Sequence, residues 1–335
     1  MTPLANPFAG RVALVTGASG FVGRHVVRLL AERGAVVHGL GIEPPRAPLP
    51  LARWHGTDLA DAPALASAVA AAKPDFLVHL AGQASAGRSF EQPVETFRTN
   101  ALGTWHVLQA VRDGAPRARV VVVGSGEVYG PQAPGTRVAE DAPFRPASPY
   151  ALSKAAADVF AEIAAHDGLD VVRTRSFAHA GPGQDPRFAL PSWAHQIAAI
   201  ERGEVPPVLL VGNRDVTRDL SDVRDVARAY VLLLERGERG AVYNVCRGEG
   251  VTLDRLLDRL LALARVPVRI EQDPARLRPV DVPYLVGDPG AIHRATGWSA
   301  EIAVDGTLAA LLEDARSASP RPPAPEAPPG PVRAA

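Results

Sequence analysis

The stretch RVALVTGASGFVGRHVVRLLAERG (11–34) decides the fold of this chain of 335 residues. VALV is a short, continuously apolar run, the pattern of a strand buried on both faces. FVGRHVVRLLAE repeats its apolar residues at helical spacing, and Gly34 closes it. Between the two lie Gly17, Gly20 and Gly23. The first permits a tight turn, the second lets backbone approach a phosphate closely, and the third lets helix and strand pack tightly. The start of the helix offers uncommitted N–H groups and the positive end of its dipole, which suit a pyrophosphate. A strand, a glycine turn and a helix in this order predict a dinucleotide-binding unit.

The same alternation continues outward. AVVHGL (35–40) reads as a second strand, and DAPALASAVAAA (61–72) as a helix capped by Asp61 with proline in its first turn. DFLVHLAG (75–82), a helix over 93–113, ARVVVVGS (118–125), a helix from Ser148 and LDVVRTRS (169–176) follow. Strands alternating with helices, with unbroken apolar strands, predict an α/β fold: a doubly wound, Rossmann-type parallel sheet with helices on both faces. Beyond about residue 178 the pattern fragments. Helices are expected at 191–202, 222–235 and 252–264, with strands near 207–211 and 241–246. These predict a smaller α/β lobe over the carboxyl edge of the sheet. The expected organisation is a dinucleotide domain over 10–178, a substrate lobe over 179–312 with chain excursions between the two, and a disordered Pro- and Ala-rich tail over 316–335.

Composition narrows the function. Lys plus Arg and Asp plus Glu each total 36, the net charge is zero and the arginines are scattered, so the footprint of a nucleic-acid binder is missing. One cysteine, Cys246, excludes an intrachain disulfide and a Cys-rich metal site, and no metal is expected. The opening residues lack a signal-peptide pattern and no apolar run has the length of a membrane span, so a cytoplasmic protein is expected.

SPYALSKAAADVF (148–160) holds the chemistry. Tyr150 and Lys154 stand one helical turn apart on one face. A phenol ordinarily titrates near pH 10. A neighbouring ammonium favours the phenolate, so Lys154 is expected to lower that value and to hold a nicotinamide ribose. Ser125, at the tip of the VVVV strand, adds a hydroxyl for a substrate oxygen. The second strand ends at Gly41 in HGLGIEPPR (38–46), where an acid would hold both ribose hydroxyls. With Arg46 nearby, this favours NADP(H). Glu43 stands close enough to bend back, so NAD(H) remains open.

TGASGFVG (16–23), HLAGQAS (79–85), GSGEVYG (124–130) and SPYALSK (148–154) resemble, in order and spacing, the extended short-chain dehydrogenase/reductases that act on nucleotide sugars, the NAD-dependent epimerase/dehydratase family. The resemblance runs from about residue 10 to 305. It implies a catalytic triad of Ser125, Tyr150 and Lys154. It also implies a cofactor site of Gly17, Ser19, Gly20, Phe21, Val22, Gly23, Asp58, Leu59, Leu80, Ala81, Gly82, Phe177 and His179, with Tyr150 and Lys154. Four stretches of the second half (181–197, 212–230, 243–253 and 273–288) are similar to the family's reductases of GDP-linked 4-keto-6-deoxy-mannose. That likeness implies a GDP-linked deoxy-keto sugar bound by Ser85, Ser125, Ala178, Arg218 and Arg278, the two arginines near the diphosphate or ribose. It further implies a homodimer joined through a four-helix interface.

The chain departs from the family pattern R-P-F-N-H, which here reads RSFAH (175–179): Ser176 replaces the proline and Ala178 the asparagine. Leu220 stands where an aromatic is usual. Losing the asparagine removes a hydrogen bond to the sugar nucleotide. Glu127, two residues past Ser125, sits where the related dehydratases carry a glutamate acid/base. A GDP-mannose 4,6-dehydratase, or another nucleotide-sugar epimerase or dehydratase, is therefore the alternative to a 4-keto reductase. A dinucleotide-sensing regulator without catalysis is the remote one.

Overall fold

The computed structural model describes residues 6–277 and 280–318. The first half supplies β1 (Val12–Thr16), β2 (Val36–Gly41), β3 (Arg53–Gly56), β4 (Phe76–His79), β5 (Arg119–Ser125) and β6 (Asp170–Ser176). The second supplies β7 (Ala178–Ala180), β8 (Val208–Val211), β9 (Thr217–Asp222), β10 (Val242–Val245), β11 (Gly250–Thr252), β12 (Arg269–Gln272) and β13 (Tyr284–Leu285). Seven strands form one sheet in the order β10-β6-β5-β4-β1-β2-β3. Every pairing in it is parallel. The order reverses between β1 and β4, and in such sheets the crevice outside the strands' carboxyl ends is where ligands bind.

Helices cover both faces, which is why the strands are apolar throughout. On one face the helices Phe21–Glu32 and Val223–Arg236 bury Val26, Val27, Leu30, Val226 and Leu233 against Val15, Val121 and Val172. On the other, the helices Ala62–Ala72, Gly103–Gly114 and Pro149–His166 bury Leu65, Val69, Val107, Val111 and Ala161 against Leu14, Leu77 and Val120. Asp61 and Ser148 cap two of these helices by accepting from Ala64 N and Ala151 N. Each such cap is worth about 1 kcal/mol.

The second lobe has a small sheet, β11-β9-β13, with β7 also paired to β9, and a separate parallel pair, β12-β8. Around them the helices Ala189–Glu201, Leu253–Leu261 and Val304–Ser317 enclose Trp193, Leu209, Leu256 and Leu311. Among the described residues no helix is long and apolar enough to cross a membrane.

Three features differ from the sequence reading. The helix at 222–235 and the strand at 241–246, read as parts of the smaller lobe, return to the large sheet. β10 extends it beside β6, pairing Val242 with Arg173 and Val245 with Ser176. The single helix expected over 93–113 is two α-helices, Pro93–Phe97 and Gly103–Gly114, joined by a π-turn at Arg98–Leu102. The expected tail overlaps helix Val304–Ser317, because Arg316 lies 2.7 Å from Glu201 and holds the last turn down. Residues 319–335 of that tail lie outside the described residues, as does Arg278.

Candidate active site

The glycine turn is as tight as its spacing implies. Gly17 has φ +68°, and a Cβ there would stand 2.9 Å from Ala81 N. A Cβ on Gly23 would stand 2.1 Å from the Gly17 carbonyl oxygen, so only glycine allows the helix this close to β1. Gly20 begins helix Phe21–Glu32 without a side-chain cap, and the first turn carries no acid. Among the described residues no side chain caps its first N–H groups, and they border the cleft, as an anion site requires. The cleft measures about 1130 Å³ and runs from this turn across the sheet edge to the second lobe. Pockets for drug-sized ligands measure about 300–1,000 Å³, so the cleft is large enough for a ligand of dinucleotide size. The residues present fit a dinucleotide: a cradle closed to side chains, a bare helix start and a cleft of sufficient length.

Behind the turn runs a hydrogen-bond chain whose direction can be assigned. Leu80 N and Ala81 N each donate to Thr16 Oγ1 at 3.1 Å. Thr16 therefore sends its own hydrogen to His79 Nδ1, 2.8 Å away. His79 Nε2 then carries the proton and donates to Thr104 Oγ1 at 3.0 Å, and Thr104 donates to Asn100 O at 2.6 Å. Burial and the charge of Lys154 push the His79 pKa down to about 3, so the imidazole stays neutral and the direction does not change. The Asn100 amide ties Gln83 O to Ser153 Oγ, and Ser153 donates to Tyr150 O at 2.7 Å. The glycine turn and the helix that carries Tyr150 are thus joined by one polar spine.

At the near end of the spine the expected catalytic residues meet. Ser125, the last residue of β5, accepts from Glu127 N at 3.2 Å and its hydroxyl acts on the Tyr150 phenol beside it. Lys154 Nζ donates to Val123 O at 3.0 Å. Ser125, Glu127, Tyr150 and Lys154 all line the cleft. Burial pushes the Lys154 pKa down to about 8. The Tyr150 pKa moves opposite to expectation. Burial raises it, the Glu127 carboxylate adds to the rise, and the Ser125 hydrogen bond opposes it. In a dry site the cost of a phenolate exceeds what its neighbours return, so the phenol holds its proton.

A buried charge cluster fixes this arrangement. Asp158, on the helix of Tyr150, receives Arg173 at 2.8 Å and Arg175 at 2.9 Å from β6. Arg175 also donates to Tyr129 Oη at 2.9 Å, just past Ser125 and Glu127. Removing one partner of such a buried cluster typically costs about 3–5 kcal/mol.

The other expected residues divide. Ser19, Phe21, Val22, Asp58, Leu59, Leu80, Gly82, Phe177 and His179 line the same cleft as the glycine turn, together with Ala178, Gly41 and Glu43. The His179 ring stacks on Phe21 with centroids 6.1 Å apart, its Nδ1 2.9 Å from Phe177 O. Arg218 also lines the cleft, but it is paired with Asp281 at 3.2 Å and donates to Val282 O at 2.6 Å. Ser85 is the N-cap of helix Ala86–Glu91, accepting from Arg88 N at 3.2 Å. Ser85 is not among the residues lining the cleft.

Sequence reasoning missed Thr16, Thr104, Asn100 and Arg24. Arg24 donates to Gly183 O, whose own N–H donates to Asp314 Oδ2 at 2.6 Å, so the phosphate-facing helix is tied to the second lobe. Nothing in FRTNALGTW (97–105) singles out Asn100, and the π-turn that carries it, a feature that often marks a functional site, shows only in the structure.

The model of the NAD dependent epimerase/dehydratase family matches residues 13–246. GDP-6-deoxy-D-mannose reductase of Pseudomonas aeruginosa is 38% identical over 302 residues, covering 90% of this chain and 95% of that protein. GDP-mannose 4,6 dehydratase 2 of Arabidopsis thaliana is 28% identical, covering 91% and 86%. The solved structure of RMD from Pseudomonas aeruginosa complexed with NADPH superposes with a TM-score of 0.80 at 36% identity, covering 92% of this chain and 99% of that one.

Proposed function

From its membership of the NAD dependent epimerase/dehydratase family, to which this chain belongs, we propose that it reduces the C4 ketone of GDP-4-keto-6-deoxy-D-mannose to GDP-6-deoxy-D-mannose with NADPH. The observation that carries this reading is the meeting at the cleft of a buried Tyr150 that keeps its proton, Ser125 beside it and Lys154 one turn along the same helix. A reduction needs an acid at the ketone oxygen, and a phenol held protonated is loaded for that task.

Bound NADPH supplies the hydride to C4. Ser125 donates to the ketone oxygen and orients it. Tyr150 gives the same oxygen its proton as charge develops there. Lys154 stabilises the resulting phenolate and holds the cofactor's ribose, while its bond to Val123 O keeps the ammonium in place. Gly17, Gly20 and the bare start of helix Phe21–Glu32 receive the pyrophosphate. The missing acid at Gly41 supports NADPH, and NADH remains an accepted alternative. Arg218 meets the diphosphate of the sugar nucleotide from the second lobe.

The test is NADPH oxidation by purified protein with GDP-4-keto-6-deoxy-D-mannose, beside GDP-D-mannose with NADP. Rapid oxidation in the first supports the reductase. Silence there with 4-keto product in the second replaces it with the dehydratase. The dehydratase stays the second reading because Glu127 lines the cleft beside Ser125 and acts on Tyr150.

A homodimer belongs to the same proposal. Leu152 and Val159 lie 52% and 42% exposed on the helix of Tyr150, with Ile163 at 42% and Val94 on the adjoining helix at 66%. Two such helices from each copy would cover these residues, and light scattering of Ile163→Lys should show monomers. A cytoplasmic location completes the proposal, supported by the one buried free cysteine, Cys246.

A further inference from the structure

A second serine–tyrosine pair stands beside the first. Ser176 ends β6 and is the direct register partner of Ser125 at the end of β5. Register partners on adjacent parallel strands project to one face. Here it is the face on which Val121 and Val172 pack against helices Phe21–Glu32 and Val223–Arg236. Ser176 Oγ lies 2.6 Å from Tyr230 Oη, which comes from helix Val223–Arg236. Both residues are more than nine-tenths buried, at 7% and 0% exposure, and both line the main cleft. Tyr230 lies within electrostatic reach of Tyr150.

The hydrogen count of this pair is incomplete. Two hydroxyls bring two hydrogens, and their mutual bond uses one. Among the described residues neither oxygen has another partner. One O–H is therefore left buried at the cleft wall without an acceptor, a condition that costs about 1–3 kcal/mol unless something meets it. A phenol is the stronger acid of the two, so Tyr230 donates to Ser176 and the spare hydrogen sits on Ser176. The family pattern has a proline at this position, which carries no such donor.

We propose that Ser176, held by Tyr230, donates a hydrogen bond to the carboxamide oxygen of the bound nicotinamide. The proposal rests on the oxidoreductase reading and adds a contact to it. Ser125 and Tyr150 already serve the ketone. Ser176 shares the face of Ser125, but its hydroxyl is held by Tyr230 of helix Val223–Arg236, which packs beside helix Phe21–Glu32, the helix that receives the pyrophosphate. A carbonyl oxygen on a ring tethered to that pyrophosphate is an acceptor for which a buried O–H is matched. Ser176 is the contact residue and Tyr230 a positioning residue.

The experiment is calorimetric titration of wild-type protein, Ser176→Ala and Tyr230→Phe with NADPH and with 2′-phospho-ADP-ribose, which lacks only the nicotinamide. Ser176→Ala should weaken NADPH about threefold to tenfold, the worth of one neutral hydrogen bond, and leave 2′-phospho-ADP-ribose unchanged. Tyr230→Phe should show the same selectivity at about twofold to threefold. The 3-acetylpyridine analogue keeps the carbonyl and lacks the amide NH₂, and should lose as much as NADPH does. Equal losses on NADPH and the fragment, or no loss on either, would overturn the proposal. If Ser176→Ala fails to fold, as the absence of a cooperative thermal unfolding transition would reveal, Tyr230→Phe decides by the same comparison. Wild-type protein that binds neither ligand overturns the oxidoreductase reading itself, and this contact with it.

Discussion

The dinucleotide half and the second lobe build their parts of one cleft by different means. Gly17 and Gly23 constrain each other inside one strand–helix turn, and Tyr150 and Lys154 share one turn of one helix. In the second lobe, Arg218 meets Asp281 across 63 residues of chain. Asp219 gathers Arg247 N, Gly248 N and Gly287 N from two other segments at 2.7, 2.8 and 3.3 Å. The first region is specified by backbone geometry over short distances, and such geometry survives as spacing in a sequence. The second is specified by side chains that only the finished fold brings together. On the proposed function, the chemistry falls to the first region and the choice of substrate to the second.

The largest test of this division is Tyr150→Phe. Losing the general acid should lower turnover about 10²–10⁴-fold. NADPH affinity should stay near wild type, because the glycine turn and the helix start do not depend on the phenol. Stopped-flow hydride transfer beside a binding titration measures both. A variant retaining most of its turnover would remove Tyr150 from the chemistry and leave the spacing SPYALSK a structural feature.

A pH profile sharpens the comparison at smaller amplitude. Lys154 has a pKa lowered by burial to about 8, and the Tyr150 pKa is raised. Activity needs the ammonium charged and the phenol protonated. As pH rises, Lys154 loses its proton first, so kcat/KM should be level near neutrality and fall above about pH 8, by about tenfold per unit. The falling limb should persist in Glu127→Gln, since Lys154 is set by desolvation. A limb that moved with Glu127 would assign it to the tyrosine instead.

How much of this was legible before the structure follows the same line. The alternation of strands and helices, the glycine cradle and the Tyr150–Lys154 pair rest on periodicity and spacing, which a sequence displays, and the resemblance adds Ser125 to that pair. The return of β10 to the edge of the large sheet rests on pairing with β6 far earlier in the chain, and nothing local in YNVC announces it. The break at Arg98–Leu102 adds one residue to a helical turn without disturbing the apolar pattern. The direction of the Tyr150 shift was misread for a third reason. Spacing gives the neighbour, Lys154, but burial sets the sign, and burial is a property of the assembled site.

The smallest effect probes the second lobe alone. Arg218 is held by Thr217 O, Val282 O and the Asp281 carboxylate. The carbonyls fix where the guanidinium sits, and the carboxylate competes with any phosphate for its charge. Arg218→Lys keeps the charge but loses the planar fork, and should raise KM for the sugar nucleotide about tenfold. Asp281→Asn removes the competing anion and should lower that KM by about twofold to threefold, a half-buried pair with one long contact at 3.2 Å competing only modestly with a phosphate. NADPH affinity should move in neither variant. If Arg218→Lys weakened NADPH as much as the sugar nucleotide, the two regions would be one energetic unit. Local spacing would then have revealed less of the site than its clarity suggests.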